Sequence, residues 1–257
     1  MTELSLKQGS NRLALAQDTH ITTLPDTTHS LVVDFSGEVN ASLKVNLAVG
    51  STLDMFCFNT ADALEMDETY ALEKDAVLNL SYGDLTIGDT KRSVQIDLQG
   101  TGSSVQLNSA TLISKNTDLR YQFSHKAQHT LGNMKNFAVM VKDGNLSLYA
   151  IGHIEKTAAF SETHQSTRVL NLEGSKKAAV YPHLIIDNNE VQASHAESTG
   201  QMDEDHLYYL QSRGLNEAQA IRLMVKGYLS SVTDSITDEA LKALILEKID
   251  QKVEEIC

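Results

Sequence analysis

The chain has 257 residues, 34 acidic and 21 basic, for a net charge of −13. That length allows one large domain or two modest ones with a real core. The charge argues against phosphate-backbone binding, which needs clustered Lys and Arg, and against an anionic membrane surface.

No apolar run approaches the ~20 residues of a membrane span. The start, MTELSLKQGSNRLALAQ, lacks the basic and unbroken apolar parts of a signal peptide, so a cytoplasmic protein is expected. Residues 1–29 hold only a short candidate segment, and Pro25 breaks any continuation. From about Ser30 to Ile186 the hydrophobic period is two. Leu31/Val33/Phe35, Ala41/Leu43/Val45/Leu47, Val94/Ile96/Leu98, Leu119/Tyr121/Phe123, Phe137/Val139/Val141 and Leu146/Leu148/Ala150 alternate with polar neighbours, as half-buried strands do. Turns are expected at Val49-Gly50-Ser51, Tyr82-Gly83-Asp84, Gly100-Thr101-Gly102, Asp143-Gly144-Asn145 and Glu173-Gly174-Ser175, where glycine supplies positive φ. Many short strands without helices between them fit a sandwich, a barrel or a solenoid equally well. No strict repeat is legible.

After Ser198 the period changes to 3.6. Asp203 is an N-cap with Glu204 and Asp205 in the first turn, and Gly214 is a stop. Asn216 and Gln219 form a capping box for a second helix. Its stripe is Ile221, Met224, Val225, Tyr228 and Leu229. A third helix runs from about Thr237 with Leu241, Leu244, Ile245, Ile249, Val253 and Ile256 on one face. The predicted division is an N-terminal segment 1–29, a β domain 30–198 and a helical domain 199–257. Sixty helical residues are too few to stand alone and must lean on the β part or on a partner.

Cys57 and Cys257 are the only thiols, too few for a disulfide framework and not spaced as a metal motif. Cys57, in LDMFCFN, reads as a buried structural thiol. His125 and His129 would share a face only in a helix, and their surroundings read as strand then loop, so they are loop histidines; the same reading holds for His153, His164 and His183. There is no GxSxG, HExxH, GxxxxGK[ST] or helix-opening GxGxxG. The acidic run at 203–205 is explained by capping. His195 and Glu197 remain. An imidazole ligates iron well, and Glu197 falls on the same side of an extended segment. Loop roles, a hydrogen-bonded histidine and a solvated glutamate, are the plain alternative.

The run from His195 through Gly200-Gln201 and Asp203-Glu204-Asp205 to YLQSRG resembles the B and D subunits of the Suf iron–sulfur assembly system, in its short, D-like form. The resemblance extends over Asn136 to Val232. It implies a right-handed parallel β-helix followed by a small helical domain, and a scaffold subunit that is not an enzyme. It implies pairing with a SufB-type subunit or a second copy, and docking of the SufC-type ABC ATPase on the helices, here through Ile221, Met224, Val225, Tyr228 and Leu229. His195, with Glu197 assisting, would face a transient iron–sulfur cluster at the interface. Family members often carry Cys two residues before that His; here it is Ala193, so no cluster is expected on the isolated chain. Two rivals are a structural dimer partner without ligands and a solenoid carbohydrate-active enzyme with paired carboxylates.

Overall fold

The computed structural model describes residues 2–6, 9–86, 88–172, 176–236 and 239–256, without the side chains of 234, 235, 240, 241, 255 and 256. The expected turn at Glu173-Gly174-Ser175, the start of the third helix at Thr237, the Leu241 and Ile256 side chains and Cys257 lie outside the described residues.

Sixteen strands form two eight-stranded, all-parallel sheets. In chain order they are β1 (Thr2–Ser5), β2 (Gly9–Ala14), β3 (Thr19–Thr22), β4 (Thr28–Phe35), β5 (Glu38–Leu47), β6 (Thr52–Asn59), β7 (Ala63–Leu72) and β8 (Val77–Asp84). The second half comprises β9 (Asp89–Leu98), β10 (Ser104–Ile113), β11 (Asn116–His125), β12 (Leu131–Met140), β13 (Asn145–Ile154), β14 (Glu162–Asn171), β15 (Ala178–Ile186) and β16 (Gln192–Gln201). Odd strands stack in one sheet and even strands in the other, so each turn of the chain adds one strand to both walls. This is a parallel β-solenoid, chosen from the three architectures that alternation alone left open. The solenoid begins at Thr2 and runs to Gln201, so residues 1–29 supply its first strands.

One corner carries the repeat. Asp26, Gly50, Asp75, Gly102, His129 and Phe160 all have φ between 53° and 77°. Each amide donates to the carbonyl just before its counterpart one turn on, from Asp26 to Val49 and so on to His129 to Ala159. Ser51, Ala76, Ser103, Thr130 and Ser161, which follow five of them, are buried. Only a small side chain fits where the chain turns inward. From Asp26 to Phe160 the corner spacing grows from 24 to 31 residues, and the first turn, Thr2 to Thr19, takes only 17, which is why no fixed period is legible. Two expected turns differ. Gly83 lies inside β8, where a Cβ would stand 3.1 Å from the Phe56 ring. At the 143–145 turn the positive φ belongs to Asp143, and Gly144 is needed because a Cβ would meet the Ile113 carbonyl.

The lumen is packed with Leu, Val, Ile and Met in stacked columns such as Leu31–Met55–Leu80–Leu107–Met134. The helices are α1 (Glu204–Ser212), α2 (Glu217–Ser230) and α3 (Glu239–Ile256), with a 3₁₀ turn at Ser231–Ser235. Asp203 caps α1, Asn216 and Gln219 form the capping box of α2, and Gly214 has φ +97°. Val225, Leu229, Val232, Ile245, Ile249 and Val253 bury a second apolar cluster against the outer face of the even sheet: Phe56, Phe58, Leu85, Ala110, Leu112, Val139 and Leu170. The even strands therefore lose alternation at their C-terminal ends, where both faces are covered. β12 shows the consequence. Its lumen row is Met134, Asn136, Ala138 and Met140, while Val139 and Val141 face the helices, opposite to a simple reading of its hydrophobic beat.

Leu229 is fully buried in this second cluster, whereas Tyr208 on α1 is 74% exposed. Leu229→Ala should cost about 2–5 kcal/mol in urea unfolding, and Tyr208→Ala should stay within about 0.5 kcal/mol.

Candidate functional site

The last turn of the solenoid has nothing stacked on it among the described residues. β15 and β16 end their sheets, and every residue of β16 is exposed. Register decides which way its side chains face. Thr163, Gln165 and Thr167 of β14 are buried on the lumen side, and they pair with Ala193, His195 and Glu197. His195 and Glu197 thus share the lumen-directed face of β16, at neighbouring same-side positions about 7 Å apart along a strand. They would be core residues in a longer solenoid. Across the mouth, β15 sets Val180, Pro182, Leu184 and Ile186 in register with the lumen row Leu148, Ala150, Gly152 and Ile154. The mouth is apolar on one wall and polar on the other.

The polar wall is the end of a longer lane. In the column through Cys57, Tyr82, Ser109, Asn136, Thr167 and Glu197, each residue is the register partner of the next. Ser109 donates to Asn136 Oδ1 at 2.9 Å, and Asn136 Nδ2 donates to Thr167 Oγ1 at 3.2 Å. Thr167 accepts that bond, and Glu197 is its register partner in the next turn. Beside this lane, Gln165 Nε2 donates to the His183 carbonyl at 3.2 Å, and Gln165 Oε1 is buried without a partner.

The other histidines serve structure. His164 bonds Ser194 at 2.7 Å on the outer face and so ties β16 down; His153 pairs with Asp187 at 3.0 Å. His183 and Tyr181 stack on Tyr149, and His129 stacks on Phe160. His125 is buried and bonds Thr130 at 2.7 Å. Burial, with His153 adding a smaller effect, pushes its pKa down to about 4. Asp203 is spent on the amides of Asp205 and His206. Among the described residues, no group of three or more His, Cys, Asp and Glu is placed to hold a metal ion. The helical stripe is divided: Val225 and Leu229 are buried on the solenoid, Ile221 and Tyr228 pack partly against it, and Met224 is half-buried.

A second locus lies deep in the lumen. Arg92 Nη1 donates to both oxygens of Asp84 at 2.8 and 2.7 Å, and Nε lies 3.1 Å from Glu68. Tyr70 and Tyr82 each donate to Glu68 at 2.7 Å, and the guanidinium sits 4.2 Å above the Tyr82 ring. Burial raises the Glu68 pKa, opposed by Arg92 and the two hydroxyls. Burial also works against the charge on Arg92, but the two carboxylates overcome it and hold the guanidinium protonated. Cys57 is buried beside this cluster, and desolvation raises its thiol well above the ordinary value, leaving it a packing residue. The cluster has a sequence signal: Glu68, Arg92 and Asp84 each occupy a hydrophobic beat of their strand. Gln165 and Thr167 break the pattern in the same way.

Arg92→Leu should strand two carboxylates and cost about 3–5 kcal/mol in urea unfolding. His125 is neutral in the folded chain until about pH 4, while an unfolded histidine protonates near 6.5. The unfolded state binds the extra proton between those values, so stability should fall as pH drops through that window. His125→Gln should remove that slope when unfolding midpoints are measured from pH 7 to pH 4.

Comparison with known proteins identifies what shares these features. Residues 6–228 match the family described as SUF system FeS cluster assembly, SufBD core domain. The iron–sulfur cluster assembly protein SufD of Bacillus subtilis is 34% identical over 173 residues, covering 67% of this chain and 36% of that protein. SufD of Escherichia coli is 22% identical over 165 residues, covering 63% and 39% respectively. A SufBD family protein of Mycobacterium leprae is 33% identical over 101 residues, 39% of this chain and 26% of the relative. The matched stretch spans less than two fifths of the length of each SufD.

Proposed function

Because the chain belongs to the SufBD core family, we propose that it is a non-catalytic scaffold subunit for iron–sulfur cluster assembly, with the cluster as cargo. The observation that carries this is the uncapped last turn. An edge strand with free backbone groups invites pairing, and its lumen-facing row presents one imidazole and one carboxylate. A SufB-type subunit or a second copy would extend both walls across this end. Clusters are held largely by thiolate, so a cysteine of the partner would complete what His195, assisted by Glu197, begins. No cluster is held stably by this chain alone.

In this reading the helices dock a SufC-type ABC ATPase. Val225 and Leu229 are committed to the solenoid, so they support the docking face from beneath. Leu223, Leu244, Tyr208 and Tyr209 remain exposed beside them. The structural-partner reading without ligands is favoured by one feature, Ala193 in place of a thiol.

The test is co-expression with the neighbouring SUF subunits. His195→Ala should leave the complex assembled and reduce cluster delivery to client proteins at least tenfold. Glu197→Ala should lose less, within the roughly 10–100-fold range of residues that orient a ligand. Leu223→Asp combined with Leu244→Asp should abolish co-purification of the ATPase without unfolding the chain. Normal delivery by the His195→Ala complex would leave the structural-partner reading.

A further inference from the structure

The penultimate turn has an oddity that packing does not explain. The column holding His195 is apolar through Leu31, Met55, Leu80, Leu107 and Met134, then places Gln165 in register with His195, with no hydrogen bond between them. Gln165 is buried, and its Nε2 is anchored on the His183 carbonyl. That anchor fixes which end of the amide is which, because a carbonyl accepts only from the NH₂ group. The other end, Oε1, is buried with no donor. A buried acceptor left bare is costly and calls for a donor nearby.

The lumen-facing row of the next turn is Ala193, His195, Glu197 and Thr199. Ala193 has no side-chain donor, and an ionised carboxylate only accepts. Thr199 is spent on Glu197 at 3.5 Å. On Gln165's own row the Thr163 hydroxyl is also buried without a partner, and no hydrogen bond joins it to Gln165; the imidazole is in register with Gln165 and carries a ring N–H. In the neighbouring column Thr167, which accepts from Asn136, is in register with Glu197.

We propose that Gln165 is a positioning residue for His195: its Oε1 accepts one ring N–H of the imidazole and locks a single tautomer, leaving the other ring nitrogen with its lone pair directed out of the open end. The inference rests on the functional reading above for its purpose, since a neutral imidazole ligates through that lone pair. Its geometry stands without that reading. Gln165 acts only through His195 and touches no cargo.

The test is nitrogen NMR of the full chain labelled with ¹⁵N-histidine, with His195 assigned by loss of its signals in His195→Gln. At about pH 8.5, two units above the ~6.5 of a free imidazole, the two neutral tautomers give distinct ring-nitrogen shifts. The wild type should favour one tautomer at least fivefold. Gln165→Met, matched in length but without an acceptor, should relax the ratio to that of a free histidine side chain measured alongside. A wild-type ring with no preference, or a Gln165→Met ring with the wild-type ratio, would overturn the proposal. Should Gln165→Met fail to fold, Gln165→Leu, which also lacks an acceptor, carries the same test. Cluster delivery by His195→Ala bears on the functional reading and is scored apart, so either can fail while the other stands.

Discussion

Everything in this molecule depends on the backbone bond that carries each left-handed corner residue to the turn above. From Asp26 to Phe160 the chain turns at the same place, and one amide there reaches the carbonyl of the next turn. That bond sets how far each turn rises, and therefore which residues stack. Four of the six corner residues are not glycine and sit in a strained region of φ. Asp26 and Asp75 tolerate it well as short polar residues; His129 and Phe160 offset it by stacking on each other at 5.1 Å.

Stacked turns give columns, and columns make polar exceptions consequential. A polar side chain in a parallel lumen has neighbours directly above and below, about 4.8 Å away. Glu68, Asp84 and Arg92 pair across the two walls, while Glu68 Oε1 and Arg92 Nε and Nη2 are left without a hydrogen bond. Ser109, Asn136 and Thr167 do so along one wall. Such groups are poor sources of net stability, because desolvation consumes much of what pairing returns. Their effect is to fix register: a slip of one residue would leave a buried charge or amide unpaired.

The tail is part of the fold for a different reason. The outer ends of the even strands carry Phe56, Phe58, Leu112 and Val139, an apolar surface that water would not tolerate uncovered. The helices cover it, which spends half of their stripe internally and leaves other side chains outside for partners. At the far end no such cover exists among the described residues. The lumen row runs out on β16, where His195 and Glu197 reach the surface uncovered.

Much of this was legible in the residues themselves. Period two marked the strands, and Leu31/Val33/Phe35 or Leu146/Leu148/Ala150 do face the lumen, because half-buried strands must alternate. The three helices, the Asp203 cap and the Asn216–Gln219 box followed from local hydrogen-bond chemistry, which acts within four residues. The segment from His195 to Gly214 pointed to the family. Register was not legible. Turns that vary from 17 to 32 residues hide the repeat, so which residues share a column emerges only when the corner bonds are made. The same holds for the pairing of Arg92 with Asp84, for Val139 facing helices rather than the lumen, and for Gln165 beneath His195. These contacts join positions far apart in the chain, and only three-dimensional stacking decides which of many equivalent polar and apolar beats meet.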